Sequence, residues 1–543
     1  AYLQYTHNLR PIDGALFVGQ STYGDLALHT GIVTSLRNAS FPADYSILPG
    51  VQLSYPFLSD SLSTSGMLLG LNLQSALNIP GTLMMALVFI GFSLFSLQLC
   101  SSRRVAVLAI LLLFINGGLG FLYSFDMLGQ HLGTMGQNQM QFGSWLDRLN
   151  NILAGWYQTP VNHAEFTTYN LRWSNIIADM LLPQRSFLAG WVYLFPCLYL
   201  LYDALASAQR KWRPFALLGI LAGGLPLIHT HSFLALGLAS LGWFVWDIVK
   251  NKAIKSWLIY GGIAMLLALP QLILFTFVQS SNEGFLRIQF NWVNNAAGAG
   301  LRDGYLWFYL KNIGLPFLLL IFTFLDHTPK SRFIYTGAFV IFIVAEFIIF
   351  QPNEYDNNKL LYVWYALCLI PISEYAFVLW DKLRGLKARA LIGFVVCVMF
   401  FVSGSLSIAR ETVSSYQAYS PAAVAAGRFA EVETPQHSTF MASSSNHLNP
   451  VSALAGRHIV CGPSLWLHWH GFDLSEREND ILAFYQQPQT NLSILDKYDV
   501  DYILYSPSEK ALTVSGAEPL STLFEEVFSD ETDDYRIYKV SKK

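Results

Sequence analysis

The stretch 332-RFIYTGAFVIFIVAEFIIFQPNEYDNNKLLYVWYALCLIPISEYAFVLWDKLRGLKARALIGFVVCVMFFVSGSLSI-408 decides the fold class. It holds three apolar runs, at about 332–350, 359–380 and 389–408, each close to the ~20 residues that cross about 30 Å of hydrocarbon. The connection 351–358 carries Glu354 and Asp356, whereas 381–388 (DKLRGLKA, then Arg389) is basic. Seven more runs precede these, at about 80–99, 105–123, 183–203, 214–229, 231–247, 256–278 and 306–325. The expected fold is mainly α, a polytopic bundle of about ten transmembrane helices spanning 80–409. The fourth and fifth runs are short for spans.

Composition agrees. Of 543 residues, 53% are hydrophobic and only 13% charged, about half the charged share of soluble proteins, and mean hydropathy is +0.38. That argues against an ordinary soluble enzyme and excludes a disordered or collagen-like chain. A net charge of -3 points to no nucleic-acid partner.

The connections give an orientation. Those at 100–104, 204–213, 248–255, 326–331 and 381–388 are short and basic; the alternate ones at 124–182, 279–305 and 351–358 are longer or acidic. Basic connections stay on the cytoplasmic side. Residues 1–79, the alternate connections, a turn at 229–231 and the C-terminal segment 410–543 are therefore expected outside. An external N-terminal segment of that size leads us to expect a further span upstream of Ala1. Residues 410–543 carry 18 acidic and 10 basic residues, a globular composition. Within it 492-LSILDKYDVDYILYSPSE-509 reads as a helix then a strand, and 524-FEEVFSDETDDYRIYKV-540 as two strands around an acidic turn. A small α/β domain is expected. The five cysteines form no disulfide framework.

Polar groups gather on the expected outer face. In 19-GQSTYGDLALHTGIVTSLRN-38, Asp25 opens an apparent amphipathic helix, and His29 follows four residues later on the same face. As structure alone, Asp25 is a helix cap favoured by the dipole and His29 its partner. The segment ends near 55-YPFLSD-60, with Asp60. In 170-NLRWSNIIADMLLPQRSFLAGW-191, Arg172 lies in a loop and Gln184 and Arg185 at the end of a span. Arg185 either snorkels to the interface or grips a lipid phosphate, for which its planar fork is suited. In 226-PLIHTHSF-233, His229 and His231 hold a metal, bond a phosphate or cap the turn. In 351-QPNEYDNNKLLYVW-364, Lys359 either anchors at headgroups or faces the same phosphate, with Asp356 orienting a partner. The tail holds a second H-x-H, His468 and His470, with Asp473 nearby, a weak metal pattern. Glu346 is the main ionisable group well inside a span. No phosphate loop, nucleophile elbow or Cys-x-x-Cys pair occurs.

These stretches resemble the GT-C superfamily of polyprenyl-phosphate-sugar-dependent glycosyltransferases, with a multispanning body, an Asp in a large first external loop and a C-terminal domain outside. More narrowly, YGDLALH, LSYPFLSD, LPQRSF, PLIHTHSF, YDNNKLL, ALAGRH and KYDVDYI are similar to stretches in a group of bacterial membrane proteins. The resemblance implies an inverting transferase of the bacterial plasma membrane. It would take a polyprenyl-phosphate-linked sugar donor and a glycan, lipid or protein acceptor among membrane lipids. It implies Asp25 as base, with His29 orienting it or contacting the sugar, and Asp60 binding sugar hydroxyls or supporting Asp25. Gln184, His229 and Asp356 join the substrate site, and Arg172, Arg185, His231 and Lys359 are candidates for the phosphate. The tail would cover the site and select the acceptor. No D-x-D motif stands in the second external loop, which leaves dependence on a divalent metal open. A transporter or flippase is the alternative, though neither paired broken helices nor internal symmetry is visible. A ligase or polymerase using lipid-linked glycans and a non-catalytic scaffold are further rivals.

Overall fold

The computed structural model describes residues 1–100, 102–124, 170–173, 175–207, 211–251, 254–277, 285–295, 300, 302–325 and 328–542. Most of the second external connection, in which a D-x-D motif was sought, lies outside the described residues. The chain divides into two compact units, one of residues 1–82, 274–285 and 415–543, the other of 83–273 and 286–414.

The second unit is helical. All ten apolar runs form helix, but among the described residues six helices are long and apolar enough to cross a membrane: Leu73–Leu99, Arg185–Ala206, Pro226–Asn251, Ile254–Thr276, Glu354–Gly385 and Arg389–Val413. The chain is therefore an integral membrane protein. The others depart from the ten expected spans for local reasons. Arg103–Ile115 and Trp212–Gly223 have 13 and 12 residues, which at 1.5 Å per residue reach only about 20 Å. The first of these stops at Asn116, whose side chain donates to the Phe400 carbonyl and accepts from the Gly118 amide. The 306–325 run, expected to be one span, is two helices, Tyr305–Ile313 and Leu315–Leu325, bent by 117°. Gly314 between them has φ +83°, a conformation that favours glycine, and Pro316 follows at once. The chain breaks twice here: at Gly224–Leu225, before Pro226 opens a helix where a missing N–H is harmless, and again at His229, whose φ −164° and ψ 103° leave helical geometry within the turn expected at 229–231. His229 thus lies at a kink and His231 just beyond it.

Asn358–Lys382 is the centre of this unit. Every residue from Asn358 to Ser373 is buried, and the helix packs against Arg103–Ile115, Pro226–Asn251, Leu315–Leu325 and Pro329–Phe347. Without lipid-excluding water to drive them together, such helices associate by close fit at small residues. Gly242 is one: a Cβ there would stand 2.1 Å from the Thr336 carbonyl oxygen.

The first unit joins both ends of the chain. It opens with α1 (Tyr2–His7), then β1 (Arg10–Ile12) and β2 (Ala15–Val18), an antiparallel hairpin. Its turn is Asp13-Gly14, both at positive φ, as a two-residue hairpin loop requires. Tyr416–Tyr419 extends this sheet from the far end of the sequence. Next come α2 (Leu26–Ser35), α3 (Leu58–Leu68) and the start of α4 (Leu73–Leu99), which continues into the second unit after residue 82. The expected amphipathic character of α2 is absent: every residue from Leu26 to Thr34 is buried. The C-terminal segment supplies the cover. Gly31 lies against the Ser452 carbonyl, Thr34 donates to the Ala453 carbonyl at 3.2 Å, and Arg37 pairs with Glu431 at 2.7 Å. The tail forms a five-stranded sheet in the order His458–Ile459, Thr439–Met441, Tyr502–Tyr505, Tyr535–Lys539, Glu525–Asp530. The last two strands flank an acidic turn, and Ser493–Lys497 precedes the strand Tyr502–Tyr505, as the sequence predicts.

Candidate functional site

In the first unit the chemistry gathers at the start of α2. Asp25 is its N-cap residue, and its carbonyl accepts the Leu28 and His29 amides. The Asp25 carboxylate makes no capping hydrogen bond, and the residue is partly exposed. His29, one turn on, is 1% exposed, and its hydrogen-bond partner is Asp60 of α3, 2.8 Å from Nδ1 and fully buried. A carboxylate cannot donate when ionised, so Nδ1 carries the proton and Nε2 is left as an acceptor. Tyr55 sets its ring edge-on to His29 at 5.8 Å. His470 stands behind it, its ring 5.3 Å from Tyr55 and its Nδ1 3.0 Å from the Tyr45 hydroxyl. Trp466 donates to the Gly24 carbonyl at 3.2 Å. The segment 464–470 therefore braces both Gly24, next to Asp25, and Tyr55, next to His29.

The second unit holds the cations. Asn312 ties down the loop carrying Arg172: its Oδ1 accepts the Arg172 and Trp173 amides at 2.6 and 3.1 Å, and its Nδ2 donates to the Asn170 carbonyl. The Arg172 guanidinium is 2% exposed and lies over the Tyr355 ring at 5.3 Å. Nη2 is 3.9 Å from Glu354, while Nε and Nη1 have no hydrogen-bond partner among the described residues. Burial pulls the Arg172 pKa below its ordinary value, and Tyr355 and Glu354 oppose that shift.

One helical turn after Tyr355, Lys359 is buried and pairs with Asp356 at 2.9 Å. Both interact electrostatically with His231, which accepts from Gln351 Nε2 at 2.7 Å. His229 departs from helical geometry at φ −164°. Its Nδ1 accepts the Ser232 amide at 3.2 Å, so its Nε2 bears the proton, and that buried N–H has no partner among the described residues. Arg185 is buried in the first turn of Arg185–Ala206, and Gln184 holds the N-cap position without a capping hydrogen bond from its side chain. That helix reaches His229 through Phe187, 5.4 Å away ring to ring, and Gly190, where a Cβ would stand 2.6 Å from the His229 side chain.

The structure thus brings His229, His231, Asp356 and Lys359 together, sets Arg172 over Tyr355 of the adjoining turn, and joins His29 to Asp60. Each unit holds its own constellation. Sequence reading missed Tyr55, Asn312, Gln351 and Tyr355 as supports; Asn312, a polar residue inside an apolar run, was the visible signal. Among the described residues no group of three or more His, Cys, Asp or Glu side chains has the geometry to hold a metal ion, so neither H-x-H pair belongs to one. His468 and Asp473 are exposed, and Asp473 instead accepts from Ser475. Glu346 is buried and accepts a hydrogen bond from Tyr309.

No family model matches the chain, and no curated protein matches it. Among solved structures it is similar to ArnT from Cupriavidus metallidurans bound to undecaprenyl phosphate, at 11% identity and TM-score 0.47, over 99% of this chain and 95% of that one. It is also similar to the Archaeoglobus fulgidus oligosaccharyltransferase in its apo form, at 13% identity and TM-score 0.43, over 100% and 73% of the two chains. The archaeal oligosaccharyltransferase AglB with an inhibitory peptide and a dolichol-phosphate gives 13% identity and TM-score 0.41, over 96% and 70%. No residue is carried from those proteins onto this chain; its site rests on its own geometry.

Proposed function

We propose that this chain is a membrane glycosyltransferase that moves a sugar from a polyprenyl-phosphate donor to an acceptor on the extracytoplasmic side. The observation that supports the reading is a set of buried donors in the helical unit that find no acceptor among the described residues, including Arg172 Nε and Nη1 and His229 Nε2, with Lys359 beside the histidines. A buried donor left unpaired costs roughly 1–3 kcal/mol. An anion with several oxygens offsets that cost, and a phosphate does so with geometry suited to Arg. His229 and Lys359 stand on helices of the membrane body, and Arg172 packs on Tyr355 beside them, so a phosphate carried on a lipid fits better than a free one.

The reaction follows from the charges. The acceptor hydroxyl attacks the anomeric carbon, the bond from that carbon to the phosphate oxygen breaks, and the lipid phosphate leaves with the electron pair. Arg172, Lys359, His229 and His231 stabilise the charge that develops on it, with Arg185 and Gln184 at the neighbouring helix end. Asp25 takes the acceptor proton, the role its partial exposure supports. The buried His29–Asp60 pair behind it holds a fixed tautomer and offers Nε2 to the sugar. Displacement in line inverts the anomeric centre.

Binding of labelled polyprenyl phosphate to the purified protein tests the phosphate assignment. Arg172→Gln and Lys359→Gln should each weaken binding about tenfold, the loss of one charge-assisted contact. Unchanged binding in both would overturn it.

A further inference from the structure

The far end of α2 opens onto a polar cleft that the chemistry above does not use. It has a volume of about 430 Å³ and is open to solvent. Its walls are the chain leaving α2, from Ser35 to Asp44, and two pieces of the C-terminal segment, Gln436-His437 and Gly456 to His458. All of these belong to the first unit. The walls are held from behind. Gly456 has φ +67°, and a Cβ there would stand 2.5 Å from the Thr34 backbone. The buried Arg457 guanidinium donates to Thr434, Ala455 and Glu431, and Arg37 pairs with Glu431. A preformed cleft spares a ligand the cost of ordering its walls.

The lining says what fits. Ser35 donates to the Ile32 carbonyl, but the side chains of Asn38, Ser40, Gln436, His437 and His458 make no hydrogen bond to the described residues. Apart from Ala39 and Gly456 every lining residue is polar, so an acyl chain finds no wall. No Lys or Arg lines the cleft, and the nearby Arg37 and Arg457 are spent on Glu431 and on carbonyl oxygens, so a phosphate is poorly served. Burial, opposed by Asp44, holds His458 below the ordinary histidine pKa, so its ring is neutral at neutral pH. Asp44, His437 and His458 do not have the geometry to hold a metal ion. A peptide adding as a strand is also shut out. His458–Ile459 is the outermost strand of its sheet, but the Ser46 and Ile47 carbonyls already accept the Ile459 and Gly462 amides along it. What remains is an uncharged ligand rich in hydroxyls. Each hydroxyl donates and accepts, and so do the amides, the serine and the imidazoles that face it.

We propose that this cleft binds a neutral carbohydrate. Asp25 stands at the other end of α2, whose ten residues span about 15 Å. On the transferase reading, the cleft then holds an acceptor glycan one helix length from the end that reacts. The binding itself does not rest on that reading.

The test reads binding, not activity. The full chain in lipid nanodiscs, free of glycoside detergent and of any donor lipid, is offered neutral tri- to pentasaccharides of glucose, galactose, mannose and N-acetylglucosamine, and binding is followed by saturation-transfer NMR. Gln436→Ala combined with His437→Ala removes two exposed side chains, and an unchanged melting temperature shows that the fold is kept. Asn38→Ala cuts the facing wall. Binding of at least one of these glycans, weakened about tenfold in the double variant by the loss of two neutral hydrogen bonds and weakened in Asn38→Ala as well, is expected. Binding of none of them would overturn the proposal. So would binding that both variants keep, which would place the sugar elsewhere. Uncharged tri- to pentapeptides that bind where the glycans do not, and are lost in the same variants, would give the cleft a different ligand and overturn it too. None of these results bears on whether the chain transfers sugar.

Discussion

Asp60 and His29 are the residues on which the first unit's site turns. The pair is buried and bonded through Nδ1, so Asp60→Asn leaves a buried imidazole with a poorer partner. We expect a loss of about 1–3 kcal/mol in stability, read by thermal unfolding in detergent, and a larger proportional loss of transfer. His29→Gln should lower transfer with a smaller effect on stability, since a neutral amide can still donate to Asp60. The spacing of Asp25 and His29 was legible in the sequence; their separation by role was not. Four residues on a helix suggest a pair, but the partner of His29 arrives from α3, thirty-one residues away, and no periodicity encodes that meeting. In the second unit, by contrast, Asp356 and Lys359 stand three apart on one turn and do pair.

Elements meet closely enough that single methyl groups decide their spacing. Gly190→Val drives side-chain carbon into His229 and Ser232. The nearest atom is the His229 Cβ, which no side-chain rotation removes, so we expect polyprenyl-phosphate binding to fall together with a stability loss of about 1–3 kcal/mol as overpacking. Gly242→Val meets the Thr336 backbone and should cost a similar amount. Measuring binding beside thermal unfolding separates the site effect, expected at Gly190, from the packing cost that the two share. Helices in the apolar runs were readable because each run exceeds a dozen residues. Their breaks were harder: the 117° bend at Gly314 sits in a run of nearly uniform hydropathy, where only a glycine at positive φ marks it. The Asp13-Gly14 hairpin differs: its turn dipeptide is a readable signal, but the strands it joins have only three and four residues, too short to show alternation.

At the scale of the molecule, the two ends of the sequence form one unit. Composition marked 410–543 as a globular segment, but not that it would bury α2, since charge and hydropathy say nothing about a partner four hundred residues away. This unit should also be sensitive to acid. Burial holds His447 and His458 below the ordinary histidine pKa of 6.5. The unfolded chain takes up protons there that the folded unit refuses. Their contribution to stability is complete above that pH and is lost as pH falls through it. Glu509, raised by burial, acts in the opposite sense, favouring the folded state at low pH and losing that effect as pH rises through its folded value. The melting temperature should fall between about pH 7 and 5.5, and His447→Gln with His458→Gln should flatten that slope while leaving the Glu509 contribution in place. The central claim is that this chain transfers sugar from a lipid phosphate with Asp25 as base. It is tested most directly by following labelled sugar from polyprenyl-phosphate donors in membranes holding the wild type or Asp25→Asn. Transfer in the wild type that falls at least about a hundredfold in the variant at equal expression, the range of a lost general base, is predicted. Equal transfer in both would contradict it and move the base elsewhere.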